Sequence, residues 1–293
     1  MPDASAPTGP AAVAEAKTDL PRPLYRLPWP QAKREAARAI WHFHTALTDP
    51  RAPRLDGDDL TAYFEAEKAS AAAADPLEVV PEAVWGAAYD ACDAHDLPPA
   101  LLARQVGAAR RLKQERVRFA ATPDLDAFLR HWARPHGMLL ARLAGAGHSW
   151  QERPVFELAR GFFLTGRLLR LPRDLRDGRL FFPTEDLRQY GVAEATLREG
   201  PPEGEEPPED VRRLLWKQNV RARDALAQGQ KAMGSELPRR YAWGLRACWH
   251  GALDVLGQLE NRSHDVWHGP PIQLSWWRRA QVYVQALLGR SGR

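Results

Sequence analysis

The sequence predicts an all-α protein, and three observations carry that prediction. Apolar residues recur at helical spacing in one stretch after another, as in Ala36, Ala37, Ile40, Trp41 and His44. Continuous period-2 alternation is absent, and no hairpin signal joins two apolar runs, so strands are not expected. Proline, glycine and aspartate fall between the periodic stretches, where helices start and stop. The result is about ten helices in one domain over residues 25–290, joined by connections of ordinary bundle length.

Each element has its own signal. Residues 1–24 are rich in Ala, Pro, Ser and Gly with little periodicity and read as a disordered tail. Pro30 suits the first turn of a helix through His44, which Asp49-Pro50 ends, because a residue before proline is pushed out of the helical region. An Ala- and Glu-rich helix is expected over 58–74, capped by Asp58 or Asp59. Further helices follow over 81–95, over 100–118 after Leu97-Pro98-Pro99, and from Pro123 to Leu143, where Gly145-Ala146-Gly147 breaks the chain. Residues 152–169 form the next. Residues 201–208 are an acidic Pro/Gly/Glu loop expected to be mobile, and helices over 210–228, 236–261 and 274–288 complete the chain.

At 293 residues, with 44% hydrophobic and 27% charged residues, the chain can bury a sizeable core. No apolar run reaches the roughly 20 residues a membrane helix needs, and the N-terminus lacks a signal-peptide layout. The expectation is a cytoplasmic protein, with peripheral contact at the inner membrane left open. The net charge of +4 is mild, and arginines alternate with acids along most helices, which argues against nucleic acid as a partner. Only six of the 41 Lys and Arg residues are lysines, a composition suited to gripping phosphate and equally to a GC-rich coding sequence. Cys92 and Cys248 have no Cys-x-x-Cys spacing, and no His-Glu-x-x-His pattern is present, so neither a disulfide framework nor zinc is assigned.

The stretch from Gly161 to Val192 concentrates the remaining signals. It reads as an apolar helical face, a proline, a charged turn with Asp174 and Asp177, then Gly178-Arg179-Leu180-Phe181-Phe182-Pro183 and a short helix. With Glu185, Leu187, Gly191 and Val192, this order resembles the second signature of the squalene/phytoene synthase family. Four further segments agree in the same order. They are the Ala39–Phe43 helix, Leu97-Pro98 followed by Leu101-Leu102, the Thr122–Gly145 segment with Ala133-x-Pro135-x-Gly137, and a closing set that includes Gln218, Arg221, Gly229, Leu237-Pro238 and Asp265. The Ala-x-Pro-x-Gly version is most similar to the hydroxysqualene/squalene synthase branch of bacterial hopanoid biosynthesis.

The resemblance implies an isoprenoid synthase-type helical bundle around a central apolar cavity. It implies prenyl diphosphates as ligands, farnesyl or presqualene diphosphate going to squalene- or hydroxysqualene-type products. It also implies Mg2+ held by carboxylates on two facing helices, since hard cations neutralise a departing diphosphate. Here the carboxylates are degenerate. Asp49 alone stands in the first motif, although a register shifted by a few residues there would offer Asp56, Asp58 and Asp59 instead, and Arg170 occupies the position of the second motif's first aspartate, with Asp174 at its second. Pro172 between them is incompatible with an unbroken helical face.

The candidates are therefore Asp49, Asp174 and Asp177 as catalytic carboxylates, with Asp49 and Asp174 as the metal ligands. Arg110, Arg111, Arg170 and Arg173 are candidates for direct diphosphate binding, since arginine makes charge-assisted contacts to phosphate without a metal. Phe43, Phe128, Phe162 and Phe163 are expected to line the cavity, Phe128 standing where the family has a tyrosine. The alternatives are plain. Asp49 before proline suits a helix-ending cap, Asp174 and Asp177 beside Arg173 and Arg176 suit a solvated turn, and the chemistry is lost while the shell binds a partner protein or an isoprenoid lipid. Trp276 and Trp277 are expected to pack at the bundle edge, with a membrane surface as the other reading.

Overall fold

The computed structural model describes residues 29–48, 82–112, 114–146, 151–234, 237–268, 272 and 274–288. Among them are eleven α-helices and two short strands. The helices are α1 (Gln31–Thr48), α2 (Glu82–Ala94), α3 (Ala100–Leu112), α4 (Thr122–Leu143), α5 (Glu152–Leu169) and α6 (Leu171–Arg176). They continue with α7 (Thr184–Tyr190), α8 (Glu194–Glu199), α9 (Glu209–Gly229), α10 (Arg239–Glu260) and α11 (Trp276–Leu288). The expected tail over 1–24 and the expected helix over 58–74 lie outside the described residues.

The central helices follow from their patterning. On α1, Ile40, Phe43 and Leu47 fall on one face and are fully buried. Helix α4 starts with Pro123 in its first turn and with Asp124 accepting the Ala121 N–H at 3.0 Å, and it buries Leu125, Leu129 and Trp132. It runs through Pro135 and stops at Leu143, with Gly145 at φ +95°. Helices α5 and α9 approach most closely, because glycines stand at their crossing. A Cβ on Gly161 would lie 2.9 Å from the Leu226 amide nitrogen, and one on Gly229 would lie 2.5 Å from Leu158 Cα.

The expected helix over 100–118 is shorter than the sequence suggested. It ends at Leu112, and the chain enters β1 (Val117–Phe119), which pairs in parallel with β2 (Arg179–Pro183). Gly178 permits this junction. Its φ is +74°, a Cβ there would overlap the Glu115 carbonyl oxygen, and its own carbonyl accepts the Val117 N–H at 3.0 Å. All five residues of β2 are buried, so the strand shows no alternation to read in a sequence.

Two other expectations are corrected or refined. Trp276 and Trp277 do not pack on the bundle: each is 67% exposed, and their rings stack on each other at 4.0 Å. Helix α11 instead buries Val282 and Ala286 against α10 and leaves Val284, Leu287 and Leu288 exposed. The acidic loop over 201–208 is anchored through Glu206, which accepts from Arg212 at 2.7 Å and from the Ser263 hydroxyl at 3.0 Å.

Candidate functional site

Helices α1, α4, α5 and α10 enclose an apolar cavity of about 200 Å3. Trp132, Ala133, Gly137 and Leu140 of α4 form one wall, and Leu158, Ala159, Phe162 and Phe163 of α5 form the next. Leu245, Gly251 and Val255 of α10 close the other side. Helix α1 contributes Trp41, His44, Thr45 and Thr48. Those four share one face by their i, i+3, i+4, i+7 spacing, while Ile40, Phe43 and Leu47 turn to the packed core.

The cavity ends at charge. Arg167 and Arg170, at the end of α5 and in the junction after it, are the charged arginine side chains among its described lining residues. Pro172 explains the geometry there: α5 stops at Leu169, Arg170 takes φ −105° and ψ 8°, and α6 begins with the proline in its first turn. Asp174 on α6 is thereby brought back against α5. Its carboxylate accepts from one Arg167 nitrogen through both oxygens, at 2.9 and 3.2 Å.

Arg179 completes the cluster. It is buried, and it donates at 2.7 Å to the carbonyl of Thr48 at the C-terminal end of α1. Burial pushes the Asp174 carboxyl above the usual carboxylate range, against the pull of Arg167, Arg170 and Arg179 and with a smaller push from Asp177. Arg167 thus bonds the carboxylate directly, and the charges of Arg170 and Arg179 act on it as well. Arg167 also lies over the rings of Phe163 and Phe181, at 5.2 and 5.1 Å from their centroids.

Deeper in, the cavity carries two imidazoles among indoles. The His44 ring stacks on His136 at 4.1 Å and lies 4.4 Å from Trp132, and Trp41 stands 5.5 Å from His136. His44 Nδ1 bonds to Gln105 Oε1 at 2.7 Å. Burial lowers the His44 pKa to about 4, opposed by the Gln105 hydrogen bond and assisted by the charge of Arg167.

The structure brings together some of the expected site residues and separates others. Arg170, Asp174, Phe162 and Phe163 are at or beside the cavity. Phe128 is buried behind the wall, 6.4 Å from Phe163 and stacked at 6.1 Å on Trp132, and Phe43 is in the core. Neither of these two is among the lining residues. Arg110 and Arg173 are exposed, and Arg173 faces Asp177 at 3.9 Å. Arg111 donates to the Arg118 carbonyl at 2.9 Å and lies over Phe119. Asp49 lies outside the described residues. Sequence reasoning missed Arg167, whose signal was its place one turn before Arg170, and Gln105, which nothing local connects to His44.

The described residues do not fit a magnesium ion. Asp174 is already engaged by a guanidinium and stands among three cations, and Asp177 faces Arg173. Among the described residues no three His, Cys, Asp or Glu side chains gather as a possible cation cage.

A helical shell around a greasy cavity with a phosphate-suited end defines a protein of the isoprenoid synthase type. The chain belongs to the squalene/phytoene synthase family, whose model matches residues 21–278. Solved structures agree in fold. A dehydrosqualene synthase in complex with ligand superposes with a TM-score of 0.73 at 16% identity, covering 94% of this chain and 92% of that one. Squalene synthase HpnC from Alicyclobacillus acidocaldarius gives 0.66 at 21% identity, over 83% of this chain and 88% of its own. YisP from Bacillus subtilis subsp. subtilis strain 168 gives 0.68 at 16%, over 94% and 92%. No curated protein matches the chain by sequence.

Proposed function

We propose that this protein acts on prenyl diphosphates, with farnesyl or presqualene diphosphate going to a squalene- or hydroxysqualene-type product in hopanoid or carotenoid biosynthesis. The observation that carries this reading is the apolar cavity ending at Arg167 and Arg170. The prenyl chain lies along the Trp132, Leu158 and Phe162 walls, where burial of each CH2 contributes about 0.8 kcal/mol. The diphosphate lies at the two guanidinium groups. Their forked donors take phosphate oxygens directly, and a dry, preorganised cationic end stabilises the charge that develops as the C–O bond opens. The aromatic walls keep water from the allylic cation.

The functional unit in this reading is residues 25–290. It works in the cytoplasm, and the exposed apolar side of α11, with Trp276, Trp277 and Leu287, supports peripheral contact with the inner membrane. A second reading has an observation in its favour. Asp174, the surviving carboxylate of the second motif, is spent on Arg167, as in a non-catalytic relative that binds a partner protein or an isoprenoid lipid.

One experiment separates the two readings. Farnesyl and presqualene diphosphate are offered with and without magnesium, and diphosphate release is measured. Release without metal, weakened in Arg170→Ala together with a roughly 10- to 100-fold loss of farnesyl diphosphate affinity, is the expected result. No release under any metal condition eliminates the enzyme reading and leaves the binding one.

A further inference from the structure

The cavity contains a nitrogen base whose orientation is fixed from outside. Gln105 is fully buried on α3, and its side-chain Nε2 donates to the Leu101 carbonyl at 3.4 Å. That contact turns its Oε1 toward α1, where an oxygen can only accept, so the 2.7 Å bond is a donation from His44 Nδ1–H. The proton of the neutral ring is therefore on Nδ1, and the lone pair is on Nε2. His44 lines the cavity, and its Nε2 makes no hydrogen bond to any described residue. The ring packs against His136, stacked, and against Trp132, tilted, and cannot rotate without losing those contacts and the Gln105 bond.

Position matters as much as orientation. His44 and Arg167 line the same cavity, and the charge of Arg167 acts on the ring. A chain with its phosphate on Arg167 and Arg170 runs along the cavity wall that His44 shares. We propose that His44 Nε2 is the proton acceptor for the carbocation formed in this cavity, an inference that rests on the prenyl diphosphate reading above.

The step balances with the second farnesyl diphosphate that the proposed reading already supplies. The allylic C–O bond breaks, and its electron pair leaves on the diphosphate oxygen. The double bond of the second chain adds to the cation and moves the positive charge onto that chain, an addition that is reversible until a proton is lost. A C–H bond on the first chain's reacting carbon then breaks, its electrons close the second new carbon–carbon bond, and the proton goes to the Nε2 lone pair. The imidazolium returns that proton to the departing diphosphate, a stronger base, and the neutral ring is restored. Burial suits this role, since it keeps the imidazole uncharged near neutral pH, and a protonated ring beside a carbocation would repel it. The weak basicity is no obstacle, because a C–H next to a cationic carbon is far more acidic than an imidazolium.

The test is the product partition per diphosphate released, with farnesyl diphosphate as probe. Without the acceptor, the cation survives long enough for water to capture it as a C15 alcohol. His44→Phe removes the base and keeps a ring, and His44→Gln keeps a polar side chain in case the first variant does not fold; both are checked by thermal unfolding. The expected result is a rise in the C15 alcohol share of about tenfold or more in both, modest against the 10²–10⁴ typical of a positioned base. An unchanged partition in a folded variant overturns the proposal. So does the same shift arising in His136→Phe and not in the His44 variants. If the unmodified protein releases no diphosphate under any metal condition, the underlying reading fails and this inference goes with it.

Discussion

Asp186 and Asp174 are both buried, 1% and 5% exposed, and both face cations, yet burial and hydrogen bonding balance differently at the two. Asp186 receives Lys217 and Arg221 at 2.7 Å each and Gln218 Nε2 at 2.8 Å. Further donors of two of those side chains go elsewhere in the same knot. Arg221 also bonds Gln218 Oε1 and Thr122 Oγ1, and Lys217 bonds Gln189. Burial pushes the Asp186 carboxyl up, but the bonds from Arg221, Lys217 and Gln218 outweigh it and hold the group below its usual range. At Asp174 the balance is reversed. Burial wins over three guanidinium groups, and the cavity beside it is lined by two of them. The bonds at Asp186 fasten helices, whereas two of the guanidinium groups whose charge acts on Asp174 line a hollow.

The largest expected effect is on the saturated side. Asp186→Ala leaves Lys217 and Arg221 without their carboxylate and should lower unfolding free energy by about 3–5 kcal/mol in urea titrations. A loss similar to that of Asp174→Asn would break the contrast. Asp174→Asn should cost about 1 kcal/mol or less, because the relieved burial of charge offsets the lost attraction to Arg167. The same variant should bind inorganic diphosphate about tenfold more tightly at low salt, read by calorimetry, since one carboxylate no longer competes for the arginines. Unchanged or weaker binding would show that the cations are not available to a ligand.

The smallest effect is in the acid limb of stability, and the two carboxylates act there with opposite sign. The depressed Asp186 contributes stability that is present above its unfolded value near 3.8 and is lost as pH falls through the lower folded value. The raised Asp174 takes up its proton sooner in the folded state, so acidification through its folded value favours folding. Asp186→Asn should therefore make the loss of melting temperature in acid shallower, and Asp174→Asn should make it steeper. Parallel curves would remove the distinction.

Most of the helical frame was legible because each long helix has one buried stripe and a proline or glycine at its ends. Pro238 before α10 and Gly145 after α4 are examples. The two strands were not legible. They are three and five residues long, and β2 is buried on both faces, so neither length nor alternation marked them. In the site, Gly178-Arg179 fixed the register well enough to single out Arg170 and Asp174, and Pro172 foretold the break between them. Which arginines face the hollow was hidden, since Arg110, Arg111 and Arg173 look like Arg167 in a sequence, and only packing separates them. On α1 the apolar stripe was visible, but Phe43 and His44 are neighbours pointing to different interiors, one to the core and one to the cavity. The partner that gives His44 its tautomer lies 61 residues away, where no local pattern could find it.

The glycine crossing of α5 and α9 has a bearing on all of this. With Gly161 and Gly229 seated against the other helix, the two backbones are in contact and have no slack to slide or separate. Arg167 and the Phe162–Phe163 wall ride on α5, so the anchoring end is held as stiffly as the seam itself. Accommodation of a bulkier guest falls to the opposite side, where Gly251 and Ala252 of α10 present little bulk. One methyl group at position 229, far from any phosphate, would wedge the seam open and carry the guanidinium of Arg167 out of register with its neighbour.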